Sequence, residues 1–492
     1  MRYVVPALLA AVVVLASTSG RDVAAPIPPN GAAECVAFVR VNVVPMTREC
    51  ILANQTVLVE GDRIVAIGRS GTVAVPESCR VVDGTDAYLL PGLADMHIHT
   101  YKEWEAWPAH PMNLFLANGV TTIRNMGSVV GKGHTLEDAM EYTLRLRREV
   151  EAGERAGPTI LSCGRMLGHY QVSGDLAPRE IVRETVSMGF DQLKIYSYID
   201  EEGLVAALEE AEALGLYSIG HIPYRVGLAR TLEAGMDEIA HVEELLNELI
   251  EFDRTANLEP EAWSTYVSDL GAEQTNGIAP SDRSALTARH EELLSQVISL
   301  LDARDTPVCT TMVIDTVIYE KVLDYSAFMA RPEIPYMPAE YVRCLRMGRD
   351  KHQVQHRGSE HMALVKRQYD RIMLRALHDA GIPLVLGTDA GTGTMGIVPG
   401  FSIHDELRAL LDSGLSPYDA LRTGTVEASR VVERMVGRGD FGTVEVGQRA
   451  DLILVEGNPL EDLGGLRCPL GVMARGVWYP REELESMAAL PD

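Results

Sequence analysis

Eight short apolar runs alternate with helical stretches across about 350 residues in the middle of this 492-residue chain. In order they are GLADMHIH, GVTTIRNMG, PTILSCG, FDQLKIYS, YSIGHIP, EIAHVEE, TPVCTTMVI and IPLVLGTDAG. Runs of this length bounded by turn residues read as strands. The stretch EEGLVAALEEAEALG reads as a helix: Leu204, Leu208 and Ala211 share one face, and Gly215 ends it. Strand and helix in this rhythm fit an α/β fold, a (β/α)8 TIM barrel with its active site at the C-terminal strand ends. Doubly wound sheets share the rhythm, so periodicity alone does not separate the two.

The flanks have a different texture. AFVRVNVVPM and TVLVEGDRIVAIG read as strands around a Gly61-Asp62 turn, and GTVEVGQRADLILVEGNP and GVMARGVWY repeat that style near the C-terminus. This predicts one small β-sandwich built from both ends, residues 26–90 and 441–492, around a barrel spanning 91–440. Two connections exceed a normal barrel loop, at residues 245–305 and 315–366, and are expected to be lids or substrate-shaping insertions.

Residues 1–25 begin with Arg2, an apolar run and then small residues, the layout of a secretory signal peptide cleaved between Thr18 and Ala25. The run is short of the roughly 20 apolar residues a membrane span needs. The expected location is therefore secreted or periplasmic, with no stable span after cleavage. Seven cysteines accompany it, and Cys35 with Cys50 is the most local candidate pair for oxidation. A net charge of -26 excludes a basic footprint for nucleic acid.

Chemistry-bearing residues concentrate at the strand ends. His97 and His99 close the first run, and their i, i+2 spacing projects both to one face. Lys194 lies in the apolar run QLKIY; His221, His241 and Asp389 close three further runs. Any one of these alone is more commonly a hydrogen-bonded core histidine or a snorkelling lysine. Six potential ligands on five strands, all at one end, form a metal site at the barrel mouth.

This pattern resembles the metal-dependent amidohydrolase superfamily over nearly all of the mature chain. The matching features are PGLADMHIH, LKIY, the two later histidines, GTDAG and the flanking GQRADLILVEGNP. More narrowly it is similar to the imidazolonepropionase-like and prolidase-like branch, through VPGFSIHDELRALLDSGLSPYDALRTGT. The resemblance implies two divalent ions, zinc or a similar first-row metal. A CO2-derived carbamate on Lys194 would bridge them, with His97, His99 and Asp389 on one ion and His221 and His241 on the other. It implies hydrolysis of a carbon–nitrogen bond, possibly peptide, in a small molecule or short peptide, with a hydroxide between the metals as nucleophile and Asp389 carrying the proton. Chemistry agrees on one point: an ammonium has no acceptor, whereas a carbamate offers two anionic oxygens.

Substrate contacts are expected from His169, Tyr224 and Arg225, with solvent-facing loop positions the plainer reading for Arg225. His404 and Glu406 read as supporting groups or simple helix-start polar residues. GTGTMG, from Gly391 to Gly396, spells a dinucleotide fingerprint but follows the last strand instead of opening a βαβ unit, which makes it an active-site loop. HQVQH (His352, His356) lacks the Glu of a zinc helix and reads as a polar helix face; NQT at Asn54 is a glycosylation sequon. Three alternatives stay open: a mononuclear deaminase or imidazolonepropionase-type cyclic amide hydrolase, an ester or lactone hydrolase, and a catalytically silent binding protein. The first usually places Glu three residues after the fifth-strand histidine, where this chain has Tyr224. Barrels of this kind often associate, so a homo-oligomer is also open.

Overall fold

The computed structural model describes residues 35–131, 133–168, 177–391 and 395–490. The signal segment and His169 lie outside these residues. Eight parallel strands follow one another in space as in sequence: β6 (Leu93–Ile98), β7 (Val120–Asn125), β8 (Thr159–Leu167), β9 (Gln192–Ile195), β10 (Tyr217–Gly220), β11 (Glu238–Ala240), β12 (Val308–Cys309) and β13 (Leu384–Val385). Before them come β1 (Cys35–Val43), β2 (Leu52–Glu60), β3 (Arg63–Arg69), β4 (Arg80–Asp83) and β5 (Ala87–Pro91), and after them β14 (Leu452–Glu456), β15 (Gly471–Ala474) and β16 (Val477–Pro480).

The barrel is closed by its backbone. Met96 N–H donates to Leu386 O at 2.8 Å, Asp389 N–H to His97 O at 2.7 Å and His99 N–H to Ala390 O at 2.7 Å. Such an approach of first to last strand demands glycine. A Cβ on Gly387 would sit 2.7 Å from His97 Cβ, and one on Gly391 would lie 1.9 Å from His99 O.

Local signals explain where the outer helices begin and end. Asp200 caps helix Glu201–Leu214 through Gly203 N–H, and Gly215 stops it at φ 63°. Its Leu204, Leu208 and Ala211 are buried, as the sequence pattern predicts. Both long connections are helical, among them Pro260–Thr275 and Ala288–Asp302 before β12, then Val313–Leu323, Ala339–Arg346, Lys351–Gln355 and His361–Asp379 after it. HQVQH lies on and just after the short helix Lys351–Gln355, with Gln355 exposed and only His352 buried. His352 is buried where these helices pack over the loop beyond β13, and Lys321 Nζ donates to His352 Nδ1 at 2.6 Å and to Met395 O at 3.0 Å.

The small domain joins both ends of the chain. β14 pairs antiparallel with β5, placing Ile453 beside Leu90, in the order β16-β15-β14-β5-β1-β2-β3. Phe38 on β1 meets Trp478 on β16 edge-to-face at 5.0 Å, although three strands separate them, so the sheet curls into a sandwich over its own apolar core. The disulfide corrects the cysteine expectation: Cys35 is bonded to Cys79, and Cys50 is free. β4 runs parallel to β1 with Val36 opposite Arg80, which sets Cys79 beside Cys35. Cys50 follows the far end of β1, a strand about 30 Å long at 3.3 Å per residue.

Inside the barrel, Arg124 and Glu238 form a fully buried bidentate pair at 2.7 and 2.5 Å. Arg124 Nε also donates to Met96 O, and Tyr217 OH to Glu238. Removing one partner of a buried pair leaves the other charge uncompensated. Glu238→Gln is therefore expected to lower stability by about 3–5 kcal/mol, measured as the shift in the denaturant midpoint; a loss under about 1 kcal/mol would assign the pair no structural role.

Candidate metal centre

The strands deliver the predicted side chains to one mouth. His97 lies in β6 with His99 just beyond it, Lys194 lies in β9, and His221 and His241 directly follow β10 and β11. Asp389 follows β13 and places Oδ1 3.4 Å from His97 Nε2 and 3.1 Å from His99 Nε2. These three residues offer ligand atoms within 4.8 Å of one another. Ring centroids continue the cluster: His97 to His241 is 4.4 Å and His241 to His221 is 4.7 Å.

Three of the four histidines are held from behind through Nδ1. His99 Nδ1 lies 2.9 Å from Gly127 O, His221 Nδ1 2.6 Å from Glu244 Oε1 and His241 Nδ1 3.0 Å from Thr311 Oγ1. A carbonyl can only accept, so Nδ1 of His99 carries the proton. Its neutral Nε2 then turns a lone pair toward the Asp389 carboxylate. Two acceptors facing each other at 3.1 Å are reconciled by a cation between them.

Buried nitrogens without partners make the same demand. Among the described residues, Lys194 Nζ and both ring nitrogens of His97 are buried with no hydrogen bond. Such groups are expensive to bury unless something binds them. Burial pulls the Lys194 ammonium down to about 8, and burial followed by the Lys194 charge holds His97 neutral, well below its ordinary range. For Asp389, burial pushes upward, but the imidazoles beside it, His99 first, and Lys194 outweigh it and keep the carboxyl low. The donor set of imidazoles and a carboxylate, beside a lysine that gives up its proton more readily than usual, fits divalent first-row ions.

Backbone strain collects here. His241, Asp389 and Thr311 adopt φ of 70°, 62° and 50°, the left-handed region that non-glycine residues rarely occupy. Ligands and an orienting residue sharing that strain fit a site held by its surroundings.

The substrate residues fare differently. Tyr224 stacks on Trp263 with rings 8° from parallel and centroids 6.1 Å apart. Arg225 turns outward, donating to Leu258 O at 3.2 Å and lying over Trp263. His404 is a packed interior residue facing Asn118 Oδ1, and burial lowers it to about 3. Glu406 accepts from Thr310 Oγ1 and from the Met312 and Val313 amides, so it anchors the turn that carries Thr311. Of the GTGTMG loop, residues 392–394 lie outside the described ones. Sequence reasoning missed Glu244, Thr311 and Asp95; only Glu244, three residues after His241, carried a readable signal. Asp95 is buried and accepts from Thr388 N–H at 3.0 Å and Thr388 Oγ1 at 2.6 Å.

The amidohydrolase family model matches residues 88–479. The chain belongs to the amidohydrolase family. It is an enzyme that hydrolyses carbon–nitrogen bonds, in a family that is generally metal-dependent. No curated protein matches it in sequence. Solved structures share the amidohydrolase fold at low identity. A Xaa-Pro dipeptidase with methionine in its active site aligns at TM-score 0.60 and 18% identity, covering 91% of this chain and 100% of the other. A prolidase bound to N-methylphosphonate-L-proline aligns at 0.58 and 20%, covering 91% and 100%. Molinate hydrolase aligns at 0.61 and 17%, covering 94% and 98%.

Glu244 gives this amidohydrolase a testable support for its centre. Loss of a carboxylate behind a ligating histidine typically weakens metal binding by about 10–100-fold. Glu244→Ala should show that loss in a chelator competition titration, and unchanged affinity would leave Glu244 no orienting role.

Proposed function

We propose that this amidohydrolase is a binuclear hydrolase of amide bonds in small molecules or dipeptides. The observation that carries the reading is Lys194: a lysine fully buried among imidazoles, with Nζ unpartnered. A free ammonium cannot ligate a metal, whereas reaction of the neutral amine with CO2, releasing a proton, yields a carbamate with two anionic oxygens. Lys194 would then bridge two ions, zinc or a similar metal, with His97, His99 and Asp389 on one side and His221 and His241 on the other.

When bound, such ions supply Lewis acidity and lower the pKa of water toward neutrality. The chain's own residues do the rest. Asp389 accepts the proton of the attacking water on its carboxylate and returns it to the leaving nitrogen. Glu244 and Thr311 fix the His221 and His241 rings so that Nε2 faces inward, and the helical insertions exclude bulk water. Tyr224, close to the His221 side, would contact the substrate; Arg225, which faces out, is the weaker candidate. His169, which follows β8 in the sequence, is a further candidate for substrate contact.

We also propose that the enzyme is exported. The reading is supported by the signal-like residues 1–25 and by the Cys35–Cys79 disulfide, a bond that persists in oxidising compartments. Among the described residues no helix is long and apolar enough to cross a membrane.

Reconstitution of metal-free protein with zinc should give two ions per chain in the presence of bicarbonate and fewer in its absence, measured by elemental analysis. One ion and no bicarbonate effect would overturn the carbamate. Asp389→Asn should reduce kcat by about 10²-fold or more with metal content nearly intact; full activity would remove Asp389 as the base.

A further inference from the structure

The residues that orient His221 and His241 sit on segments far apart in the chain. Glu244, behind His221 Nδ1, belongs to the turn Val242–Glu248 after β11. Thr311, behind His241 Nδ1, follows β12 and leads into the helix Val313–Leu323. For both rings to keep Nε2 inward, the two segments must hold one position relative to each other.

One side chain joins them. Lys366, on the helix His361–Asp379, places Nζ 2.6 Å from Glu243 Oε2, 2.6 Å from Asp315 Oδ1 and 2.8 Å from Asp370 Oδ2. Glu243 precedes Glu244 in the same turn, and Asp315 lies in the helix that Thr311 leads into. Asp370 is one turn along the helix of Lys366 itself. An ammonium has three donors and no acceptor, so three carboxylates use its full capacity.

Asp315 and Lys366 also stand at the two ends of the long connection 315–366, and their bond ties those ends together. The bond to Glu243 then fastens this insertion to the turn that carries Glu244. Glu406 secures the Thr311 segment on its other side, through Thr310, Met312 and Val313. The remaining ligands are held without this link: His99 Nδ1 lies against Gly127 O, and Asp389 N–H donates to His97 O.

We propose that Lys366 is a positioning residue for the second metal ion, the one assigned to His221 and His241, and that the insertion 315–366 serves the centre by carrying it. The inference rests on the binuclear reading above. Lys366 acts through the groups that orient the two histidines. Without its charge, three carboxylates face one another, and their repulsion separates the segments that carry Glu244 and Thr311. The cost falls on one ion and spares the other.

The test titrates the metal-free full chain with zinc against a chromophoric chelator, in bicarbonate, and reads two binding steps. His221→Ala removes a ligand and so marks the step of the second ion. Lys366→Met should weaken that step by at least about tenfold and leave the other within about threefold. A role in stability alone would weaken both steps alike or neither. A smaller loss at the second step, or an equal loss at both, overturns the positioning role and leaves the binuclear reading standing. A single step in the unaltered protein overturns the binuclear reading and this inference with it. If Lys366→Met fails to fold, Glu243→Gln decides, because it keeps the side chain's shape and releases only the turn. It should weaken the second step alone by at least about threefold, and a smaller loss overturns the proposal.

Discussion

One backbone carbonyl, that of His97, holds the working end of this protein together. It accepts from Asp389 N–H at 2.7 Å and Thr388 N–H at 3.3 Å, and so ties the first barrel strand to the tail of the last. Asp95 strengthens the seam by taking both the amide and the hydroxyl of Thr388, 293 residues away. Without that closure, His97 and His99 would not meet Asp389, and no ligand triad would exist. The positive φ at Asp389 and the bare glycines at 387 and 391 are consequences of the same close approach.

Within the barrel, buried cations receive two opposite treatments. Arg124 is matched by the full fork of Glu238, and Lys321 in the insertion is matched by Asp350 at 3.0 Å and by His352. Lys194 is just as buried and has no such partner. A low-dielectric interior penalises an unmatched charge far more than a paired one. The contrast separates paired cations from a buried lysine without a hydrogen bond among the described residues, and it is this difference that supports the proposed carbamate.

Much of this was legible in the chain itself. All eight barrel strands were readable because parallel strands buried on both faces leave apolar runs. The six candidate ligands stood out because polar residues closing such runs are conspicuous. Cys79 was not readable as the partner of Cys35, since β4 returns beside β1 only through tertiary pairing. The burial of His352 was not readable because its helix is short and polar, and Lys321, earlier in the same insertion, reaches it only through tertiary packing. Thr311 carries no pattern at all: a threonine after a strand becomes an orienting group only when His241 arrives opposite it.

The sequence by itself determined the alternation of strand and helix and the placement of the candidate ligands at one set of strand ends, because periodicity and side-chain chemistry are local properties. Tertiary structure alone decided which nitrogen of each histidine faces the centre and which lysine is left unmatched. Those outcomes depend on contacts between residues distant in the chain, and no local pattern encodes the geometry at which they meet.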